Sequence, residues 1–140
     1  MGPPIVTYSI TKSDLYVDEI LNEIRKGPAD INVACGHELL REHDPGAITV
    51  IMGSALESMA ISDPGYEVVG LFDDRSNTIT FYPQADDVHV VSTHEFLHAL
   101  GVHHNSRPGD IMNPTVAEGQ HITPEDVMEL GHWCGRGSRL

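Results

Sequence analysis

Two histidines four residues apart, a glycine three residues later and a third histidine three beyond that constrain this chain more than any other feature. The segment reads His94-Glu95-Phe96-Leu97-His98-Ala99-Leu100-Gly101-Val102-His103-His104. On a helix, positions i and i+4 share one face about a turn, ~6 Å, apart. The imidazoles of His94 and His98 can therefore grip one ion from the same side. Zinc suits such a pair, because it takes neutral imidazole and, in catalytic sites, keeps three protein ligands and one open position. Glu95 can lean over that open position without being a ligand. A third ligand has to come from beyond the helix. Gly101 lets the chain turn sharply and His104 can return to the metal, with its neighbour His103 as the competing candidate. With 9 His and 13 Gly among 140 residues, chance assembles the five fixed positions in roughly 2 of 10,000 such chains. Histidines that merely decorate a helix are thus the weaker reading.

The flanking sequence agrees independently. Asp86 or Asp87 can cap a helix in which Val90, Thr93, Leu97 and Leu100 form one stripe, and Gly101 is placed to end it in a left-handed conformation. Pro108-Gly109, Asn113-Pro114 and Gly119 make residues 105–122 irregular. A last helix follows, with Thr123 as cap, Pro124 in the first turn, Asp126 at a capping-box position, and Val127, Leu130 and Cys134 on one face. Upstream, Val6, Tyr8 and Ile10 alternate as in a half-buried strand. Ser13 caps a helix striped by Val17, Ile20, Leu21 and Ile24, which Gly27-Pro28 should stop. Ile31–Ala34 and Ile48–Met52 read as strands and residues 54–67 as a loop. Val68–Phe72 and Thr78–Tyr82 read as a strand pair joined by Asp73-Asp74-Arg75-Ser76-Asn77, with Pro83 ending the second. The fold class is α+β. Residues 1–140 are expected to form a single domain, sheet-rich over about 1–100 and completed by about 101–140.

The histidine string resembles the metzincin consensus, HExxHxxGxxH followed by a methionine turn. The resemblance implies that His94, His98 and His104 are zinc ligands, Glu95 the general base and Gly101 the turn glycine. The turn methionine would be Met112, in Asp110-Ile111-Met112-Asn113-Pro114, forming a hydrophobic floor under the metal. Among metzincins the chain is most similar to matrixin-like catalytic domains, over most of its length and most specifically over about residues 78–134. That likeness implies a metzincin-like zincin fold: a small twisted mixed sheet, an active-site helix, a methionine turn and a C-terminal helix. It implies a zinc-dependent endopeptidase whose protein or peptide substrate lies along the edge strand formed by Thr78–Tyr82 or its partner. Residues 113–122 would wall the pocket. The chain departs from matrixins in being shorter and in lacking a His-Asp-His cluster before residue 89 for an extra structural zinc. Asn105 follows the third ligand where matrixins usually have Ser, and Cys35-Gly36-His37 lacks the flanks of a propeptide cysteine segment. The alternative function is a catalytically restricted or inactive zinc-stabilised binding module: either a peptidase of narrow scope, or a module that keeps the site without turnover. Glu95 argues against the second of these, since a structural zinc has no need of that carboxylate.

Charge and cysteine usage narrow the partners. With 21 acidic against 8 basic residues and a net charge of −13, the surface repels phosphate backbones and anionic lipid, so neither nucleic acid nor membrane is expected. Solubility or a salty habitat explains the charge; the functional reading is a preference for basic substrates. A monomer is expected. Residues 1–25 show no basic start leading into an apolar stretch, so no signal peptide is recognised. Calcium at Asp73-Asp74 is conceivable, but a solvated turn suits them better. Cys35 and Cys134 are either a disulfide, contributing roughly 4–5 kcal/mol in the chain-entropy model, or two reduced thiols. A bridge would favour secretion. His89 lies ~140° around the helix from His94, and His37, His43, His121 and His132 show no ligand spacing.

Overall fold

The computed structural model describes residues 4–11, 18–64, 67–82 and 87–135. Five strands, β1 (Val6–Ile10), β2 (Leu40–Glu42), β3 (Ile48–Met52), β4 (Gly70–Asp73) and β5 (Thr78–Phe81), form one sheet in the order β2-β1-β3-β5-β4. Every neighbouring pair is parallel except β4 with β5. The sheet is thus mixed and the architecture α+β, as the sequence implies. Polar Asp73–Asn77 makes the one antiparallel turn: Asp73 Oδ1 accepts from Arg75 N–H at 2.9 Å, and Asn77 takes the left-handed φ of 54° that asparagine tolerates. Of the two candidate edge strands, Thr78–Tyr82 is interior, between β3 and β4. Its partner β4 is the edge.

Helix α1 (Asp18–Cys35) corrects two expectations. Gly27-Pro28 does not stop it, and Ile31–Ala34 belongs to its last turns rather than to a strand. Proline at 28 has no N–H for the Ile24 carbonyl. The Ser92 hydroxyl, on helix α3 (Val88–Ala99), donates to that same carbonyl at 2.5 Å. Gly27 makes this approach possible, because a Cβ there would lie 2.2 Å from Ser92 Oγ and 2.7 Å from the Thr93 backbone nitrogen. The two residues that read as a helix stop are therefore the contact point of two helices, and the partner helix repairs the missing bond. The expected cap Ser13 and stripe residue Val17 lie outside the described residues, as do Pro83 and Asp86.

A third correction concerns residues 54–67, which contain a helix, α2 (Ala55–Ile61), capped by Ser54 through the Glu57 N–H. It carries no apolar stripe, since Leu56, Met59 and Ile61 are exposed while Ser58 is buried. Two serines hold Val68. Ser58 Oγ donates to the Val68 carbonyl at 2.6 Å, and Ser62 Oγ accepts from Val68 N–H at 2.9 Å. This latch delivers the chain to β4. At the C-terminal end, α4 (Pro124–Leu130) shows both bonds of the expected capping box, and a 3-10 turn (Gly131–Cys134) follows. Cys35 and Cys134 are bridged, with Cα atoms 4.9 Å apart. The bridge ties the end of α1 to this last turn. One core includes Tyr8, Ile24, Ile79, Phe96, Met112 and Cys134.

Candidate metal centre

Helix α3 opens at Asp87, whose carboxylate accepts from Val90 N–H. The expected stripe is real but too narrow: every residue from Val90 to Leu97 is buried, because α1 covers one side and the sheet another. Polar groups on such a helix must find partners inside the protein. The helix ends as Gly101 demands. With φ of 93°, Gly101 donates to the His98 carbonyl at 2.9 Å, and Val102 donates to the Leu97 carbonyl at 3.0 Å. This is a Schellman closure, and it turns the chain back toward the helix.

The return brings three imidazoles together. The Nε2 atoms of His94 and His104 are 3.1 Å apart, those of His98 and His94 3.1 Å, and those of His98 and His104 3.0 Å. Two of the rings are oriented from behind by backbone carbonyls, which only accept. His94 Nδ1 donates to Ile111 O at 2.7 Å and His98 Nδ1 donates to Val102 O at 2.9 Å. The proton of each of these two neutral rings is therefore on Nδ1, and its Nε2 lone pair faces the centre of the cluster. Three ring nitrogens gathered this closely can hold one metal ion. Tetrahedral zinc with nitrogen ligands at ~2.05 Å sets N···N near 3.3 Å, within a few tenths of the spacing seen. The donor set fits zinc, and carbonyl-anchored ligand histidines are the usual second layer of such sites. Burial also lowers the His94 pKa to about 4 and lowers that of His98, keeping both rings neutral at neutral pH. Among the described residues this is the one group of three or more metal-ligating side chains so arranged.

Glu95 stands beside the triad, its Oε2 4.0 Å from His94 Nε2. Burial raises its pKa to about 7, against the opposing effect of a hydrogen bond from the Phe72 N–H on β4. Gly70 lets β4 lie so close: a Cβ there would be 2.6 Å from Val91 Cγ1 and 3.2 Å from Glu95 Cγ. Glu95 and the triad open onto a cleft of about 1120 Å³, with β4 on one side and Pro114, Thr115 and Val116 on the other. The latter lie within the 113–122 segment expected to wall a pocket.

Met112 is fully buried, and its carbonyl accepts from Asn105 N–H at 3.1 Å, tying the methionine loop to the residue after His104. Beneath it, Asp110 accepts from Met112 N–H at 2.7 Å and from the Thr123 hydroxyl at 2.8 Å. Arg107 reaches both Asp110 and Asp126. Burial acts to raise the Asp110 carboxyl, but these hydrogen bonds outweigh it and hold it below the ordinary carboxylate range. Burial, then the neighbouring Asp110, raises Asp126. His103 points elsewhere: its backbone N–H and its Nδ1 both pair with Glu129, at 2.9 and 2.8 Å, and its side chain is 87% exposed. His89 pairs with Asp30, and His37 with the Trp133 carbonyl. Trp133 Nε1 in turn donates to Leu100 O at 3.0 Å, at the end of α3.

Sequence reasoning does not find Val102 O, Ile111 O, Glu129 or Trp133. The first two act through backbone atoms that any residue supplies. Asp126 is legible as a helix cap, and Asp110 two residues before Met112 is legible as an Asx turn. Their meeting is not.

Frame and triad together define an α+β protein with a three-imidazole cluster able to hold one metal ion. The matrixin family model matches residues 20–132, and the chain belongs to the matrixin family of zinc metallopeptidases. No curated protein matches it.

Proposed function

We propose that this matrixin is an active zinc-dependent endopeptidase, with His94, His98 and His104 as metal ligands and Glu95 as general base. The observation that carries the reading is the convergence of three Nε2 atoms beside one buried carboxylate, all lining one open cleft. Bound zinc would supply Lewis acidity, acidifying water and polarising the scissile carbonyl. Glu95 takes the proton of the attacking water and delivers it to the leaving nitrogen. A carboxyl raised to about 7 by burial is matched to both halves of that transfer. An extended substrate pairs with the edge strand β4, beside which Glu95 lies. Gly101 turns the third ligand inward, and Met112 is a packed floor with no chemical role. The shared core supports residues 1–140 acting as one catalytic domain. A binding module that keeps zinc without turnover is the weaker reading, since it gives no reason to bury a carboxylate there.

Cleavage of a peptide library by zinc-loaded, chelated and zinc-restored protein tests this, with Glu95→Gln as a fourth arm. Loaded protein should cleave, chelation should stop it, and zinc should restore it. Glu95→Gln should retain zinc and lose roughly 10²–10⁴-fold in rate. Loss of zinc along with activity in that variant would show Glu95 to be a ligand, and an inactive loaded wild type would leave the binding module.

A further inference from the structure

We propose that the cleft selects basic peptides, with Asp63, Glu67 and Asp74 receiving Lys or Arg side chains on either side of the bond to be cleaved. This rests on the peptidase reading above and adds the substrate class. All three carboxylates line the cleft, together with Glu95, and no Lys or Arg lines it among the described residues. In the chain, Glu67 precedes Gly70 by three residues and Asp74 directly follows the last residue of β4, so these two carboxylates bracket the strand, and Asp63 lines the same cleft. Gly70 and Phe72 are the β4 positions that meet Glu95.

The second observation is how the protein distributes its own cations. Arg25, Lys26, Arg41 and Arg107 are each paired with carboxylates away from the cleft. Arg75 donates its backbone N–H to Asp73 and makes no ion pair among the described residues. Asp63, Glu67 and Asp74 have no ion-pair partner among those residues either. The rim carboxylates therefore face a cleft that no Lys or Arg among the described residues neutralises, in a chain of net charge −13.

The third is apolar. Ile61, Leu71 and Val116, exposed by 47, 45 and 37%, line the same cleft. Lys and Arg lay an apolar stem along such surface while their charged head reaches a carboxylate. A metal cation or a free amine would use the carboxylates and ignore the stems' surface; a basic peptide uses both.

The test uses three peptides with one central sequence, carrying Lys, Gln or Glu at the flanking positions. Turnover is measured with the zinc-loaded enzyme and affinity with zinc-loaded Glu95→Gln. The Lys peptide should exceed the Gln peptide by about fivefold or more in kcat/KM at ~0.02 M salt, and the Glu peptide should fall below both. The ratios should shrink at ~0.5 M salt, where the Debye length falls to ~4 Å. In the triple variant Asp63→Asn, Glu67→Gln, Asp74→Asn the Lys-to-Gln ratio should drop to near one. Equal kcat/KM and equal affinity for the Lys and Gln peptides in unaltered clefts overturn the proposal. If no peptide is cleaved, the peptidase reading fails, while the affinity ratio in Glu95→Gln still decides the charge preference.

Discussion

The two helices that pack together, α1 and α3, break opposite rules. α1 carries a sequence that should end it, Gly27-Pro28, yet runs unbroken through Cys35 because α3 lends Ser92 to its orphaned carbonyl. α3 carries a sequence that should leave one face in water, yet is buried from Val90 to Leu97. Its polar groups survive burial only through partners: Ser92 on α1, His94 on the methionine loop, Glu95 on β4 and His98 on the returning Val102. One helix is completed by its neighbour; the other is the neighbour on which everything converges. Changes on the converging helix and its return loop should therefore alter metal and chemistry, and changes at the α1 contact should alter stability alone.

The largest effect is expected at the third imidazole. His104→Ala should lower zinc affinity by orders of magnitude and abolish hydrolysis. His103→Ala, losing only an exposed pair with Glu129, should keep one zinc per chain and activity within a few fold. Metal content after dialysis decides between them, and zinc lost from His103→Ala but kept by His104→Ala would reverse the assignment.

The helix contact should answer differently. Ser92→Ala leaves the Ile24 carbonyl buried without a donor, a cost of about 1–3 kcal/mol, with zinc content unchanged. Pro28→Ala restores an N–H for that carbonyl, so Ser92→Ala should cost markedly less in the Pro28→Ala background. Denaturant unfolding of the four proteins measures the coupling. Additive effects would mean that Ser92 does not repair the proline.

Met112→Leu conserves apolar volume and should cost under ~1.5 kcal/mol, with hydrolysis largely kept. A loss as severe as that of Glu95→Gln would give Met112 a part in the chemistry.

The smallest effect concerns pH. Asp126 is raised to about 6 by burial and by Asp110 beside it. A carboxyl raised on folding favours the folded state when protonated, so its contribution is complete below its unfolded pKa of ~4 and is lost as pH rises through about 6. The melting temperature of Asp126→Asn relative to wild type should therefore rise between pH 4 and pH 7. A flat difference would mean that the pair beneath the methionine loop does not share its charge in this way.

Local signals succeeded at most places where a side chain serves its own backbone, the Ser54 cap of α2 being the exception. Thr123 and Asp126 cap α4, Asp87 caps α3 and Gly101 ends it, because each involves residues within a turn of one another. The histidine spacing belongs here too. A helical repeat and one glycine turn suffice to bring His94, His98 and His104 together, which is why a candidate metal centre was legible before any fold. Tertiary structure decided everything that needed an atom from elsewhere. It carried α1 past Pro28, hid Ser58 so that exposed α2 could form, put β4 rather than Thr78–Tyr82 at the edge, and joined Cys35 to Cys134 across a separation of 99 residues. The physical reason is one of range. A propensity or a spacing describes bonds a segment can make with itself, whereas burial obliges each polar group to find a partner wherever the fold supplies one.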